Sequence, residues 1–346
     1  ISYNTISLIL FCTFLILKII QFYFIKLHDA LASSIQILVT DKDKMIGTFN
    51  GTECSIRYTS PQSQVTESVL STISELDSTY ITRIRGFVKK KDKRILIAYQ
   101  PLFRYDWNKL NPSIFIKRMM LSLSTLFKNH LVHGSISFNS IYLDNEGNLL
   151  LGDFHLTCHH SNDHNEQIKD IRMIGTLVHQ QLLDQSFNID PLLLDLLTKM
   201  TNSSNISLSP SDILRHPYFL SSTEKLEFFK HASEFFQSKK QRNRRLASTF
   251  DQKSKDIFEN DWIQLIDPKL MHDASNHRDY DGNSAVSLIR FVRNKWIHLP
   301  KGTSLFVRPQ NSTVNDSQAD SLYQYFNNLF PNLFIYTYHF IEKYDH

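Results

Sequence analysis

The chain has 346 residues, of which 42% are hydrophobic and 21% are charged. These fractions are ordinary for folded protein, and the length allows two modest cores, so we expect two globular domains. A formal net charge of +4 is too small to establish a polyanionic partner. The three cysteines, at positions 12, 54 and 158, have no paired spacing, which excludes a disulfide framework and a cysteine zinc site.

An apolar run at residues 6–25 has about the length needed to cross a bilayer. We expect a membrane-spanning helix within residues 1–27. The alternative is a buried or interfacial helix, because a lysine at position 18 is costly in a bilayer unless its ammonium reaches the headgroups. Lys18 and Lys26 lie toward the C-terminal side of the run, which favours the cytosol for the domains that follow.

Two kinds of periodicity follow each other along the first two thirds of the chain. Short β-type runs with turns occupy residues 35–100, for example 34–40 and 93–99, with one helical stretch at 65–76. From residue 114 onward apolar residues recur at four-residue spacing, which predicts one helix face: Phe115, Met119, Leu123 and Phe127. A small sheet-rich lobe therefore precedes a larger helical lobe.

The last third is predicted to be helical. Residues 237–246 are polar and strongly basic, and we interpret them as a linker or solvated helix end, with a plain solvated charge run and an RNA contact as the two alternatives. A helix is expected at 284–298, then a loop rich in Pro, Gly, Ser and Asn to residue 316. Two aromatic-rich helical segments, 319–330 and 333–344, complete the chain.

Four motifs in order resemble the protein-kinase signature. Residues 133–143 and 151–155 have the spacing of a catalytic loop and a metal-binding triplet. Residues 170–175 look like part of the central helix of a kinase C-lobe, and 213–219 like its closing motif. The resemblance implies a bilobal protein-kinase-like fold of the α+β class.

The departures from that signature decide the chemistry of this lobe. Ser135 stands where a kinase places the aspartate that orients the substrate hydroxyl, and Gly134 stands in place of arginine. Arg57 is the nearest candidate for the nucleotide-binding lysine, although its planar fork is not equivalent. Residues 44–51 lack a glycine-rich phosphate loop. Protein kinase activity is therefore not expected.

We assign two oxygen ligands of the signature to Asn139 and Asp153. With Arg57 they could still hold ATP or ADP with magnesium. The alternative is that Asn139 braces its loop through hydrogen bonds and Asp153 is a turn residue. Our hypothesis for this lobe is a pseudokinase.

Residues 282–315 contain no acidic side chain but five basic ones: Arg290, Arg293, Lys295, Lys301 and Arg308. Such a surface attracts phosphate. It also argues against a two-metal nuclease, because magnesium sites need clustered carboxylates. Phosphodiester chemistry here would have to use side-chain acids and bases.

On the predicted helix at 284–298, Arg293, Asn294 and His298 fall within an arc of about 140°. RNA can be cleaved by its own 2′-hydroxyl if an acid protonates the 5′-oxygen and a cation stabilises the phosphorane. His298 suits the acid and Arg293 the cation, while Asn294 can orient phosphate or ribose. The alternative is that His298 simply caps the helix.

Residues 279–298 and 323–338 resemble the kinase-extension nuclease domain of the inositol-requiring endoplasmic-reticulum stress sensor and of ribonuclease L. Asp261 and Trp262 resemble its beginning, and residues 222–229 its junction with the kinase. The resemblance adds Tyr280 to the site as a base or positioning group, with Arg293 and Asn294 on the scissile phosphate and His298 as the acid.

The resemblance implies a membrane segment at 1–27, a degenerate kinase-like domain at 28–232 and an all-α nuclease domain at 233–346. It further implies cleavage of stem-loop RNA without a cofactor, leaving a 2′,3′-cyclic phosphate. Self-association as back-to-back dimers or oligomers and a single-pass location in the endoplasmic-reticulum membrane are also implied, with the luminal part outside this sequence. The alternative is a catalytically silent pseudokinase scaffold that binds RNA or partner subunits.

Overall fold

The computed structural model describes residues 35–41, 44–60, 63–77, 79–185, 189–202, 208–238, 240–275, 279–298 and 314–345. The chain divides into two compact units, one of Ile1–Phe187 with Leu197–Leu214, the other of Asn188–Leu196 with Arg215–His346. The membrane helix predicted at residues 6–25 lies outside the described residues. Among the helices that are described, none combines the length and apolarity that a membrane crossing requires.

The first unit begins with an antiparallel five-stranded sheet in the order β1-β2-β3-β5-β4. Its strands are β1 (Ile35–Asp41), β2 (Lys44–Phe49), β3 (Thr52–Tyr58), β4 (Ile84–Lys89) and β5 (Ile95–Tyr99). Helix α1 (Glu67–Glu75) begins where the Thr66 hydroxyl accepts the Val69 N–H at 3.3 Å. The sheet-rich lobe and its single helix are as the sequence predicted.

The rest of the first unit is mainly helical. Helix α2 (Pro112–Lys128) starts with Asn111 as its N-cap and Pro112 in the first turn. Three residues of its predicted apolar face are buried, Phe115, Met119 and Leu123, and Phe127 is partly buried. The remaining elements are short strands and further helices: β6 (Phe103–Arg104), β7 (Leu131–Val132), β8 (Ile141–Leu143), β9 (Leu149–Leu151), β10 (His159–His160), α3 (His164–Asp184), α4 (Pro191–Thr201) and α5 (Pro210–Leu214). Strands β6, β8 and β9 form one small sheet, and β7 and β10 another.

The second unit packs its helices around one aromatic-rich core that includes Trp262, Phe291, Phe326 and Phe334. Its helices are α6 (Ser222–Gln237), α7 (Gln241–Asp251), α8 (Pro268–Ser275), α9 (Ala285–Ile297), α10 (Val314–Leu329) and α11 (Leu333–Tyr344), and the first part of α4 also belongs to it. Every described secondary-structure element that lies wholly within this unit is helical, consistent with the all-α prediction. The predicted domain boundary after residue 232 falls inside α6.

The basic stretch at 237–246 requires a correction, because residues 241–251 form helix α7 rather than a linker. Asn243 and Phe250 are its buried residues. This helix is difficult to predict because it has few apolar residues and several arginines. A basic helix packed on the core is therefore part of the second unit.

Candidate active site

Three of the four predicted catalytic residues are joined by side-chain hydrogen bonds. The Arg293 guanidinium donates from Nη1 to Asn294 Oδ1 at 2.8 Å. The other end of the same amide, Asn294 Nδ2, donates to the hydroxyl oxygen of Tyr280, also at 2.8 Å. Since that oxygen already accepts a hydrogen bond, the phenolic hydrogen of Tyr280 is left to point elsewhere.

His298 ends helix α9 as its C-cap, with its backbone N–H bonded to the Asn294 carbonyl at 2.9 Å. Its side chain is exposed, so the imidazole is not turned into the protein interior. One helical turn separates it from Asn294, which places it on the side of the helix that carries the other groups. The arrangement leaves an exposed imidazole one helical turn from a guanidinium, an amide and a phenol that are joined by hydrogen bonds.

Arg290 belongs to this cluster, although the sequence did not single it out as a site residue. Its guanidinium carbon lies 5.5 Å from the centre of the Tyr280 ring, within reach of a cation–π contact. The Nε atoms of Arg290 and Arg293 are both buried without a hydrogen-bond partner among the described atoms. The sequence could have indicated Arg290, because it lies three residues before Arg293 and four before Asn294, on the same helix face.

Trp262 holds the loop that carries Tyr280 through side-chain and backbone hydrogen bonds. The indole N–H donates to the carbonyls of Asp281 and Ser284, at 3.0 and 3.2 Å. The Trp262 backbone N–H bonds the carbonyl of Gly282 at 3.0 Å, and a Cβ atom at Gly282 would collide with the Asp261 carboxylate. The Asp261-Trp262 pair therefore fixes the position of Tyr280, a role that the sequence resemblance did not specify.

The kinase-like unit retains the scaffold of a catalytic loop. The carboxylate of Asp170, on α3, accepts the backbone N–H groups of His133 and Gly134 at 2.7 and 2.9 Å. Burial raises the pKa of Asp170. The loop is thus held in place although Ser135 offers no carboxylate to a substrate hydroxyl.

Asp153 is paired within the protein. The Tyr142 hydroxyl donates to Asp153 Oδ1 at 2.7 Å, and both side chains are buried. Burial and the Asp153 carboxylate raise the pKa of Tyr142 to about 12, while a hydrogen bond with Arg57 acts in the opposite direction. Arg57 itself also donates from Nη1 to the Ile56 carbonyl at 2.9 Å.

Buried aromatic groups surround this pair. His155 Nδ1 lies 3.9 Å from Asp153 Oδ1, and burial lowers the pKa of His155 to about 4. The rings of Tyr99 and His155 meet edge to face at 6.5 Å between centroids. A phenol bound to the metal-ligand carboxylate, beside an arginine in place of a lysine, does not fit magnesium with a nucleotide.

The assignment of Asn139 as a metal ligand needs correction. The kinase motif places the metal-binding asparagine seven residues after its histidine, which is Ser140 when counted from His133. Asn139 is exposed, and its Oδ1 accepts from Arg104 Nη1 at 2.8 Å. Within the described ranges, no group of three or more His, Cys, Asp or Glu side chains is placed to hold a metal ion.

A kinase-like unit with a degenerate catalytic loop, followed by a helical unit carrying a Tyr–Arg–Asn–His cluster, resembles the class of kinase-linked nucleases. Comparison with known proteins agrees with this class. Residues 225–346 match the family model described as ribonuclease 2-5A. That match covers α6 from its first turn and every helix of the candidate site.

Three similar proteins illustrate the relationship. The sensor for unfolded proteins in the ER, ire1, of Schizosaccharomyces pombe is 25% identical over 233 residues, 64% of this chain and 18% of that protein. The human serine/threonine-protein kinase/endoribonuclease IRE2 is 30% identical over 129 residues, 37% of this chain and 13% of that protein. The probable serine/threonine-protein kinase ireA of Dictyostelium discoideum is 31% identical over 135 residues, 38% and 13% respectively.

The chain is thus a relative of the IRE1 family of kinase/endoribonucleases, as the sequence motifs indicated. It spans less than a fifth of the length of each of these three relatives.

Proposed function

We propose that this chain is an endoribonuclease of the unfolded-protein-sensor type, which cleaves stem-loop RNA by attack of a ribose 2′-hydroxyl on the adjacent phosphate. The observation that carries the proposal is the hydrogen-bonded series Arg293, Asn294 and Tyr280, with the exposed imidazole of His298 one turn away. The match of residues 225–346 to a ribonuclease family supports it.

In the proposed reaction the 2′-oxygen bonds to phosphorus and the bond from phosphorus to the 5′-oxygen breaks. The phenolic hydrogen of Tyr280 positions the 2′-oxygen, whose proton leaves to water. Arg293 stabilises the charge on the non-bridging oxygens. His298 donates a proton to the departing 5′-oxygen, and the products are a 2′,3′-cyclic phosphate and a free 5′-hydroxyl.

The donor set supports a reaction that needs no metal ion. The groups gathered at the site are guanidinium, amide, phenol and imidazole, and residues 282–315 contain no carboxylate. Magnesium prefers carboxylate oxygens, which this set does not offer. We therefore expect cleavage to continue in EDTA.

The proposal extends to assembly and location. We propose that chains associate back to back as dimers or oligomers to complete the RNA site, and that the apolar run at 6–25 anchors them in the endoplasmic-reticulum membrane. The name of the fission-yeast relative, a sensor for unfolded proteins in the ER, supports that location. Because the lobe lacks the kinase aspartate, assembly would be driven without autophosphorylation.

Cleavage of a stem-loop RNA in EDTA tests the nuclease assignment. We expect cutting by the wild-type chain, loss of cutting in His298→Ala, and wild-type cutting in the matched control His231→Ala, an exposed histidine of the same unit. A chain that binds RNA without cutting it, even when fused to a dimerising module, would instead support the silent pseudokinase scaffold.

A further inference from the structure

Helix α7 and its flanking residues form a strongly basic segment. Residues 237–255 contain seven basic residues and one acidic residue: Lys239, Lys240, Arg242, Arg244, Arg245, Lys253, Lys255 and Asp251. Residues 83–94 of the first unit have the same balance of seven basic residues and one acidic residue. Of these two stretches, the segment around α7 lies in the unit that carries the candidate active site.

Packing turns these cations outward. Asn243 donates from Nδ2 to the Phe235 carbonyl at 2.9 Å, and Phe250 packs 5.0 Å from both Phe236 and Phe340, measured between ring centroids. At 100° per residue, Arg245 falls roughly opposite the buried Asn243 and Phe250, and Arg242 and Arg244 fall on the two flanks of the helix. Four exposed cations form what we term the basic patch: Lys240, Arg242, Arg244 and Arg245.

Three of the four patch residues have no carboxylate nearby among the described residues. Asp251, the acidic residue of the segment, is committed elsewhere: its carboxylate accepts the Ser284 hydroxyl and the Val286 N–H, each at 2.9 Å. Among the described residues, no carboxylate lies within 4 Å of the cationic groups of Lys240, Arg244 or Arg245. These three residues are therefore available to an external anion.

The position of the patch costs the helix stability. Lys240 is the N-cap of α7 without a side-chain cap bond, and the arginines follow in the first two turns. Positive side chains in the first turn of a helix oppose the helix dipole. Both contributions add to one positive potential, which suits a polyanion more than it suits the helix.

Helix α7 is also tied to the catalytic helix, through Asp251 at its end and Ser284 at the beginning of α9. The hydrogen bond of Trp296, near the end of α9, to Glu227 and that of Asn243, in α7, to Phe235 attach α9 and α7 at different points of α6. Eight residues of helix separate Glu227 from Phe235, about 12 Å, so one RNA several nucleotides long can reach both the patch and His298.

We propose that the basic patch is an RNA-binding surface that holds the phosphate backbone of the substrate away from the scissile link. This inference rests on the proposed function. A membrane surface is disfavoured because helices that lie on membranes expose large apolar side chains. None of the exposed large hydrophobic residues of the described chain lies on α7.

The test measures RNA binding as a function of salt, in chains that carry His298→Ala so that the RNA stays intact. The test variant combines Lys240→Glu, Arg244→Glu and Arg245→Glu, which the helix dipole favours, so α7 is retained. The control combines Lys91→Glu, Lys93→Glu and Lys128→Glu, three exposed lysines of the other unit. The probe is a stem-loop RNA with a stem of about 16 base pairs.

We expect the test variant to bind at least about tenfold more weakly than the control at ~0.1 M salt, with the slope of log K against log salt reduced by roughly 2 to 3. Equal affinity and equal slope in the two variants would overturn the inference. So would unchanged RNA binding with lost binding to phosphatidylserine vesicles. Failure of the wild-type chain to cut RNA is a separate outcome, which rejects the proposed function and leaves the binding result to stand on its own.

Discussion

The Asn294 amide donates to the Tyr280 hydroxyl oxygen across fourteen positions of sequence, at 2.8 Å. Because the carbonyl end of the same amide accepts from Arg293, Asn294 cannot rotate without breaking two bonds. Both ends of the amide are used, and the direction of donation runs from the guanidinium to the phenol. The phenol is therefore oriented before a substrate arrives.

The first prediction concerns this orientation. Tyr280→Phe keeps the ring but removes the hydroxyl, so it leaves the Asn294 N–H unpaired and the 2′-oxygen without its donor. We expect the rate of cleavage of a stem-loop RNA to fall by about 10²-fold, the usual effect of losing one positioned donor.

The matched control is Tyr336→Phe, which alters an exposed tyrosine of the same unit and should leave the rate unchanged. Wild-type cleavage by Tyr280→Phe, with normal folding, would remove Tyr280 from the mechanism.

The second prediction follows from the pairing of Tyr142 with Asp153. Because Tyr142 holds Asp153 Oδ1 and Arg57 stands in place of the nucleotide-binding lysine, we expect ADP with magnesium to leave the thermal midpoint and the cleavage rate of the wild-type chain unchanged. A ligand at 100 times its dissociation constant would stabilise the fold by about 2.7 kcal/mol, which a thermal-shift measurement detects readily. A magnesium-dependent rise of several degrees would show that the cleft binds nucleotide after all.

Tyr142→Phe gives this second prediction an internal check. The substitution leaves Asp153 Oδ1 buried without its donor, so the free energy of unfolding in urea should fall by about 1–3 kcal/mol. Tyr105→Phe, at a partly exposed tyrosine whose hydroxyl bonds the Lys109 carbonyl at 3.2 Å, should cost less. An unchanged stability in Tyr142→Phe would contradict the pairing.

The third prediction is a dependence of stability on pH. A hydrogen bond to Asp195, at 3.0 Å from Nε2, raises the pKa of His339 above its usual value. A group whose pKa is raised by folding stabilises the fold fully below its unfolded pKa, about 6.5, and loses that contribution as the pH rises through the folded value. We therefore expect the wild-type chain to lose stability as the pH rises above about 6.5.

The size of this effect is limited because the His339 side chain is half exposed, so we expect about 0.5–1 kcal/mol. Urea unfolding at several pH values should show a flatter profile in His339→Gln than in the wild type. The control His164→Gln, at an exposed histidine of the first unit, should keep the wild-type profile. Identical slopes in all three chains would mean that the His339–Asp195 contact is absent in solution.

Sequence reasoning succeeded where periodicity or motif spacing was strong. Phe115, Met119 and Leu123 were predicted to share one face of α2, and all three are fully buried. Phe127 was placed on the same face but is only partly buried, because a residue in the last turn of a helix has fewer neighbours around it. Asn139 has the residue type of the kinase metal ligand, but the motif position counted from His133 is the next residue, Ser140.

Other features depend on contacts between distant parts of the chain, which spacing does not encode. The support of the Tyr280 loop by Trp262 joins residues 19 positions apart. The pairing of Tyr142 with Asp153 removes a metal ligand, yet both residue types are compatible with a kinase motif. Only the folded structure shows that the Tyr142 hydroxyl donates a hydrogen bond to Asp153 Oδ1.

The fourth prediction concerns Asp251, which caps helix α9 from helix α7. Its carboxylate accepts from the Ser284 hydroxyl and the Val286 N–H, so it neutralises the positive end of the helix that carries Arg293, Asn294 and His298. Asp251→Ala should lower the free energy of unfolding by about 1–2 kcal/mol, the range for losing an N-terminal cap. Asp256→Ala, at an exposed aspartate nearby in sequence, should change it little.

Cleavage provides the second measurement on Asp251. Because the cap holds the beginning of α9 and the catalytic groups lie toward its other end, we expect a smaller loss of rate than in Tyr280→Phe, under about tenfold. Asp251→Asn should recover part of both losses, since an amide oxygen still accepts from the Val286 N–H but carries no charge. If Asp251→Asn is as unstable as Asp251→Ala, the charge opposite the helix dipole accounts for the effect, and the hydrogen bonds contribute little.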